Sequence, residues 1–176
     1  MRNRLTIALR VMAAAVFVAS LGLAAPAEAA PSTGFFMIRS KMNNKCMVPK
    51  GSGTGNHVPI VMFTCRSGDP WQFWTVIDNN GTSKRFMNKH SGRCLDIAAN
   101  SDGEVTFGTR LQTFSCDIAA QWIEDPFGAN VLLRWANRPF CIDIVDRNPG
   151  NNVPVQMLDC KPFEDGQLWN YLPQTA

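Results

Sequence analysis

Two residue types recur in this chain with one period. Cys46, Cys94 and Cys141 open three pairs completed by Cys65, Cys116 and Cys160, at separations of 19, 22 and 19, and the opening cysteines follow one another after 48 and 47 residues. Trp74, Trp122 and Trp169 are spaced by the same 48 and 47. Such coincidence defines a threefold internal repeat in which each copy carries its own cysteine pair. Whatever the fold, one supersecondary unit is built three times.

Within each copy, short apolar-alternating segments are separated by turn residues. The first copy gives strands at Phe35–Arg39, Lys45–Val48, Ile60–Thr64 and Phe73–Ile77; the second at Arg85–Asn88, Arg93–Ile97, Arg110–Phe114 and Gln121–Glu124; the third at Val131–Trp135, Phe140–Ile144, Val155–Leu158 and Trp169–Leu172. Gly51-Ser52-Gly53, Asn79-Asn80-Gly81, Ser91-Gly92, Ser101-Asp102-Gly103 and Asn148-Pro149-Gly150 supply the turn chemistry between them. Twelve strands at a cadence of about 12 residues indicate a closed or sandwiched all-β domain. No window after the first 29 residues sustains a long helical period.

Those first residues form a different region. Met1–Arg10 carries three arginines, Leu5–Leu23 is almost wholly apolar, and Ala27-Glu28-Ala29 gives the small-x-small pattern of a secretory signal peptide, so residues 1–29 are expected to be removed. The remaining residues, 30–176, make one domain with a net charge of +1, far from the basic excess of a generic nucleic-acid binder. No other apolar run approaches a membrane span. An even cysteine count in an exported chain favours disulfides, although six thiols allow 15 connectivities. Zinc competes poorly, with no C-x-x-C and only His57 and His90 as histidines. Neither a metal nor another cofactor is expected.

Gln72-Phe73-Trp74 and Gln167-Leu168-Trp169 are Q-x-W motifs, Ala120-Gln121-Trp122 is a degenerate third, and Cys94-Leu95-Asp96 and Cys141-Ile142-Asp143 match a C-x-D signature. Over Phe35–Leu172 the chain resembles the ricin B-type lectin domain and is similar to family 13 carbohydrate-binding modules. The resemblance implies a β-trefoil with repeats at about 35–79, 84–127 and 130–173, disulfides closed within each repeat, and binding to galactose- or xylose-type glycans.

The tryptophans are expected to fill the shared core, together with Phe36, Phe86 and Leu132 of the first strands, while Gln72 and Gln167 satisfy nearby backbone. A shallow sugar site needs an aromatic plate for the C–H face of a pyranose and a carboxylate that accepts from its hydroxyls. By resemblance these are the C-x-D aspartate, a glutamine on the next strand and an aromatic two positions on, with an asparagine before the Q-x-W. The second copy keeps Asp96, Gln112 and Phe114, but its loop from Cys116 to Trp122 is shortened. The third keeps Asp143 and Gln156, with Leu158 in place of the plate and Gly166 in place of asparagine. The first has Val48 for the carboxylate and Val61 for the glutamine, so its site reads as dead. Both aspartates also admit a plain turn-forming role. Trp71 stands outside the core register, either as a surface plate or as a rim contact.

No catalytic residue is assigned: both histidines lie in turns, and every cysteine is taken by the disulfide reading. The sequence therefore describes a secreted, extracellular, non-enzymatic lectin with weak, shallow sites. Its rival is a trefoil with decayed sugar sites that binds a protein, as a targeting subunit of a toxin-like assembly or as a protease inhibitor.

Overall fold

The computed structural model describes residues 29–31, 33–78 and 80–175. Of the expected leader, all but Ala29 lies outside the described residues. Twelve strands follow in order: β1 (Phe36–Ser40), β2 (Lys45–Pro49), β3 (Ile60–Thr64), β4 (Phe73–Ile77), β5 (Arg85–Asn88), β6 (Cys94–Ile97), β7 (Leu111–Phe114), β8 (Trp122–Phe127), β9 (Asn130–Trp135), β10 (Phe140–Ile144), β11 (Val153–Asp159) and β12 (Leu168–Pro173). Each expected strand is present, with ends shifted by at most two residues except at β8, which runs three residues further than expected.

Six strands close a barrel. Antiparallel pairing runs β1–β4, β4–β5, β8–β9, β9–β12 and β12–β1. The remaining seam, between β5 and β8, is closed by the bridge Lys84↔Trp122, whose two backbone hydrogen bonds measure 3.0 and 2.8 Å. Closure removes free sheet edges. The other six strands form hairpins β2–β3, β6–β7 and β10–β11. These meet through Val153↔Met62 and Pro154↔Val61, through Pro59↔Gln112 and through Arg110↔Gln156, so that every two copies are joined. The fold is a β-trefoil.

Trp74, Trp122 and Trp169 have no solvent exposure and sit in one apolar cluster with Phe36, Ile38, Phe86, Val131 and Leu133. Their indole N–H groups donate to the carbonyls of Met47, Leu95 and Ile142, each at 3.2 Å. Every indole therefore meets the backbone of its own hairpin at the middle residue of the Cys-x-x triplet, which ties barrel to cap.

Leu132 differs from expectation. It is buried, but it packs outside the barrel with Cys141 and Leu168, while Val131 and Leu133 face the centre. In the run Val131-Leu132-Leu133 all three residues are apolar, so the alternation that assigns faces is invisible in the sequence.

The disulfides join Cys46–Cys65, Cys94–Cys116 and Cys141–Cys160, with Cα atoms 5.1, 5.0 and 4.9 Å apart. Closing loops of this length restrains the unfolded chain by about 3 kcal/mol apiece in the chain-entropy account. Gln72 Nε2 donates to the Thr64 carbonyl at 2.9 Å while its Oε1 accepts from Arg66 N at 2.9 Å. Gln167 repeats this clamp on Asp159 and Lys161. Ala120 occupies that place in the second copy, so the shortened loop has no such clamp.

Candidate functional site

Among the depressions around the hairpin cap, three are each built mainly by one copy and completed by a neighbour. The sequence-expected carboxylates lie in two of them.

In the second copy, Asp96 and Gln112 face each other across β6–β7. Gln112 Nε2 donates to Asp96 Oδ2 at 2.9 Å, and Ala120 N donates to Asp96 Oδ1 at 2.9 Å. Each carboxylate oxygen thus has one protein donor and keeps accepting capacity for a second. Gln112 Oε1 in turn accepts from His57 Nδ1 of the first copy at 3.0 Å. Asp96 lines a cleft of about 350 Å³ with Arg85, Ile118, Gln121, Trp135 and Asn137. Phe114 does not line this cleft; its ring is edge-on to His57, with centroids 4.9 Å apart. The aromatic residue that lines this cleft with Asp96 is Trp135, and Asn137 adds an amide to that of Gln121; Trp135 and Asn137 are both on the third copy.

The third copy has the larger depression, about 490 Å³, lined by Asp143, Arg147, Gln156, Leu158, Lys161 and Glu164. Asp143 is only 5% exposed and pairs across β10–β11 with Gln156. Burial pushes its carboxyl above the usual aspartate range, against the pull of hydrogen bonds from Gln167 and Gln156 and of the nearby Arg147 charge, while Glu164 adds to the rise. Gly166 leaves room beside it, since a Cβ there would stand 3.6 Å from Asp143 Oδ2. Gln156 also accepts from Arg110 Nη1 at 2.9 Å. Leu158 is no stacking plate, but Phe107, from a loop of the second copy and 66% exposed, lines the same depression.

The first copy has Val48, Val61, Phe63 and Trp71 around about 260 Å³, with Arg66, Asp69 and Asn152 as polar neighbours. No carboxylate stands at the C-x-D place. Trp71 packs its ring against His90, with centroids 3.4 Å apart, so it is a rim contact as well as a lining residue.

Reading each repeat by itself misses Trp135, Asn137 and Phe107, because the sites form between repeats. Their sequence signal is thin: Trp135 falls outside the Q-x-W register and Phe107 is an exposed aromatic in a Gly/Thr loop.

A family model described as ricin-type β-trefoil lectin domain-like matches residues 27–114, half of the chain. Sequence comparison with curated proteins finds no match. Among solved structures, the chain is similar to the Rhizoctonia solani agglutinin (TM-score 0.73, 17% identity, 84% of this chain and 99% of that one). It is also similar to a designed threefold-symmetric protein, ThreeFoil (0.71, 17%, 80% and 99%), and to the Macrolepiota procera ricin B-like lectin in complex with lactose (0.70, 17%, 83% and 99%). At these identities the likeness concerns the fold.

Proposed function

Because the chain belongs to the ricin-type β-trefoil lectin domain-like family, we propose that it is a secreted, non-catalytic domain that binds glycans through two shallow sites, centred on Asp96 and Asp143. The observation that carries this reading is that a carboxylate and an aromatic from a neighbouring copy line one depression: Asp96 with Trp135, and Asp143 with Phe107. A carboxylate accepts from adjacent sugar hydroxyls, and an aromatic face covers the C–H face of the ring. The lactose carried by the Macrolepiota procera lectin supports a galactose-type ligand. Export is supported by the pairing of all six cysteines.

Open, wet sites of this kind hold a monosaccharide at roughly millimolar Kd, about −4 kcal/mol. Useful affinity then requires polyvalent glycans. The rival, a targeting or inhibitory trefoil that binds protein, is favoured by exposed Ile118 and Phe163 and by Val48. A glycan array with the oxidised protein tests the choice: saturable binding to galactose-type glycans is expected, and an array without signal would transfer the reading to the protein-binding rival.

A further inference from the structure

The barrel interior contains a charge pair that breaks its threefold pattern. Lys84 stands 38 residues before Trp122, the place held by Phe36 before Trp74 and by Val131 before Trp169. Glu124 stands two residues after Trp122, the place of Val76 and Tyr171 in the other copies. Lys84 Nζ lies 2.6 Å from Glu124 Oε2, with the side chains 12% and 7% exposed. Replacing a buried ion pair by well-packed apolar residues is often neutral or stabilising, so packing alone gives little reason for this one. Glu124 also accepts from the Tyr171 hydroxyl and, at Oε1, from the backbone N–H of Ala30 at 3.0 Å. Ala30 is 7% exposed and part of the central cluster. Burial, with the neighbouring Glu124 carboxylate adding to it, holds the Tyr171 phenol well above its ordinary range.

Ala30 follows directly on the small-x-small stretch Ala27-Glu28-Ala29. We propose that the Ala29–Ala30 bond is a processing site for a signal-peptidase-class protease and that Glu124 is the buried receptor for the α-ammonium that cleavage creates. Water adds to the Ala29 carbonyl and the C–N bond breaks. The leader departs with a carboxylate on Ala29, and the freed Ala30 nitrogen takes up a proton, since an ordinary α-amine has a pKa of about 8. The neutral N–H donor becomes a full positive charge in hydrogen-bond contact with Glu124, a stronger charge-assisted bond. Ala29 is exposed while Ala30 is buried, so cleavage must precede closure of the barrel over Ala30. The charge pair then has a use that packing alone does not give it: it anchors the new terminus and ties the processed chain to β8.

This inference rests on the export part of the proposed function, and the test separates the two. The full chain is exported and its N-terminus sequenced; Ala30 is expected. The processed protein is compared with the same protein acetylated at Ala30. Acetylation should lower Tm by about 5 °C. The native amine should react with an acylating ester at least ~10-fold more slowly than in the unfolded chain, because ion pairing holds it protonated. In Glu124→Gln, which keeps the shape without the charge, acetylation should leave Tm unchanged; if that variant does not fold, amine reactivity in the unaltered protein decides. Failure of the chain to be exported would overturn both the export reading and the receptor, whereas an exported protein with a terminus other than Ala30 would overturn the processing site and the receptor and leave export standing. Ala30 as terminus with a fully reactive amine and no Tm response to acetylation would leave export standing and overturn the receptor alone.

Discussion

The indole N–H of Trp169 donates to the carbonyl of Ile142 at 3.2 Å, and Ile142 is the residue immediately before Asp143. A fully buried aromatic of the barrel therefore fixes the backbone from which the third copy's carboxylate projects. Trp122 and Leu95 stand in the same relation to Asp96, and Trp74 and Met47 to Val48. Core packing and site placement are one arrangement repeated three times.

Removing a single indole donor separates the two roles. Trp169→Phe should destabilise the fold by about 2 kcal/mol, through the lost hydrogen bond to a buried carbonyl and the smaller ring, and should weaken glycan binding at the third copy. Trp74→Phe should lose similar stability without any loss of binding, because Val48 follows Met47 where the other copies carry aspartate. Chemical denaturation and isothermal titration on one polyvalent glycan measure both.

The aromatic partners give a second test. Trp135→Ala and Phe107→Ala should each weaken glycan binding about 5-fold, the worth of one aromatic contact of about 1 kcal/mol. Phe114→Ala should leave binding close to unchanged, since its ring lies against His57 outside the Asp96 cleft. Titration of the three variants, each first checked for native folding, decides between plates borrowed from neighbouring copies and plates within each copy.

The repeat, the strands, the core tryptophans and the trefoil could be read from the sequence because each leaves a local or periodic mark: cysteines and tryptophans in phase, turn dipeptides between alternating segments. Asp96 with Gln112 and Asp143 with Gln156 could also be read, because each pair belongs to a single hairpin and sits in register across it. What escaped depends on the packing of one copy against the next. Trp135 reaches the cleft of Asp96, and Phe107 that of Asp143, across copy boundaries that no spacing rule within a repeat encodes. Lys84 and Glu124 look like surface charges on alternating strands, and only barrel closure turns them inward.

The unclamped loop of the second copy makes its disulfide more consequential. Paired Cys94→Ser and Cys116→Ser substitutions should lower stability by about 3 kcal/mol and weaken binding at Asp96, because Cys116 opens the loop whose Ala120 N–H holds Asp96 Oδ1 at 2.9 Å. The matching double change at Cys46 and Cys65 should cost similar stability and leave binding intact. Denaturant titration and glycan titration read the two effects.

Asp143 gives a pH signature. Its folded pKa is raised above the unfolded value, mainly by burial, so the folded state binds the proton more tightly than the unfolded chain. The stability linked to that proton is fully present below the ordinary aspartate pKa of about 3.9 and is lost as pH rises through the raised folded value. Above that value the buried charge is a net burden on the fold, and under the proposed function it is the form that accepts from a ligand hydroxyl. Asp143→Asn should match the unaltered protein in stability at acid pH and become the more stable of the two as pH rises past Asp143's folded pKa, while its glycan binding at the third copy falls at neutral pH. Binding by the unaltered third site should weaken on acidification at a higher pH than an ordinary aspartate would give. Denaturation of both proteins across pH 3 to 8, with glycan titration of an Asp96→Asn background to isolate the third site, measures the two curves. A stability difference independent of pH would show that Asp143 is not held in a strained ionisation state and would remove the physical basis for assigning it the ligand-facing role.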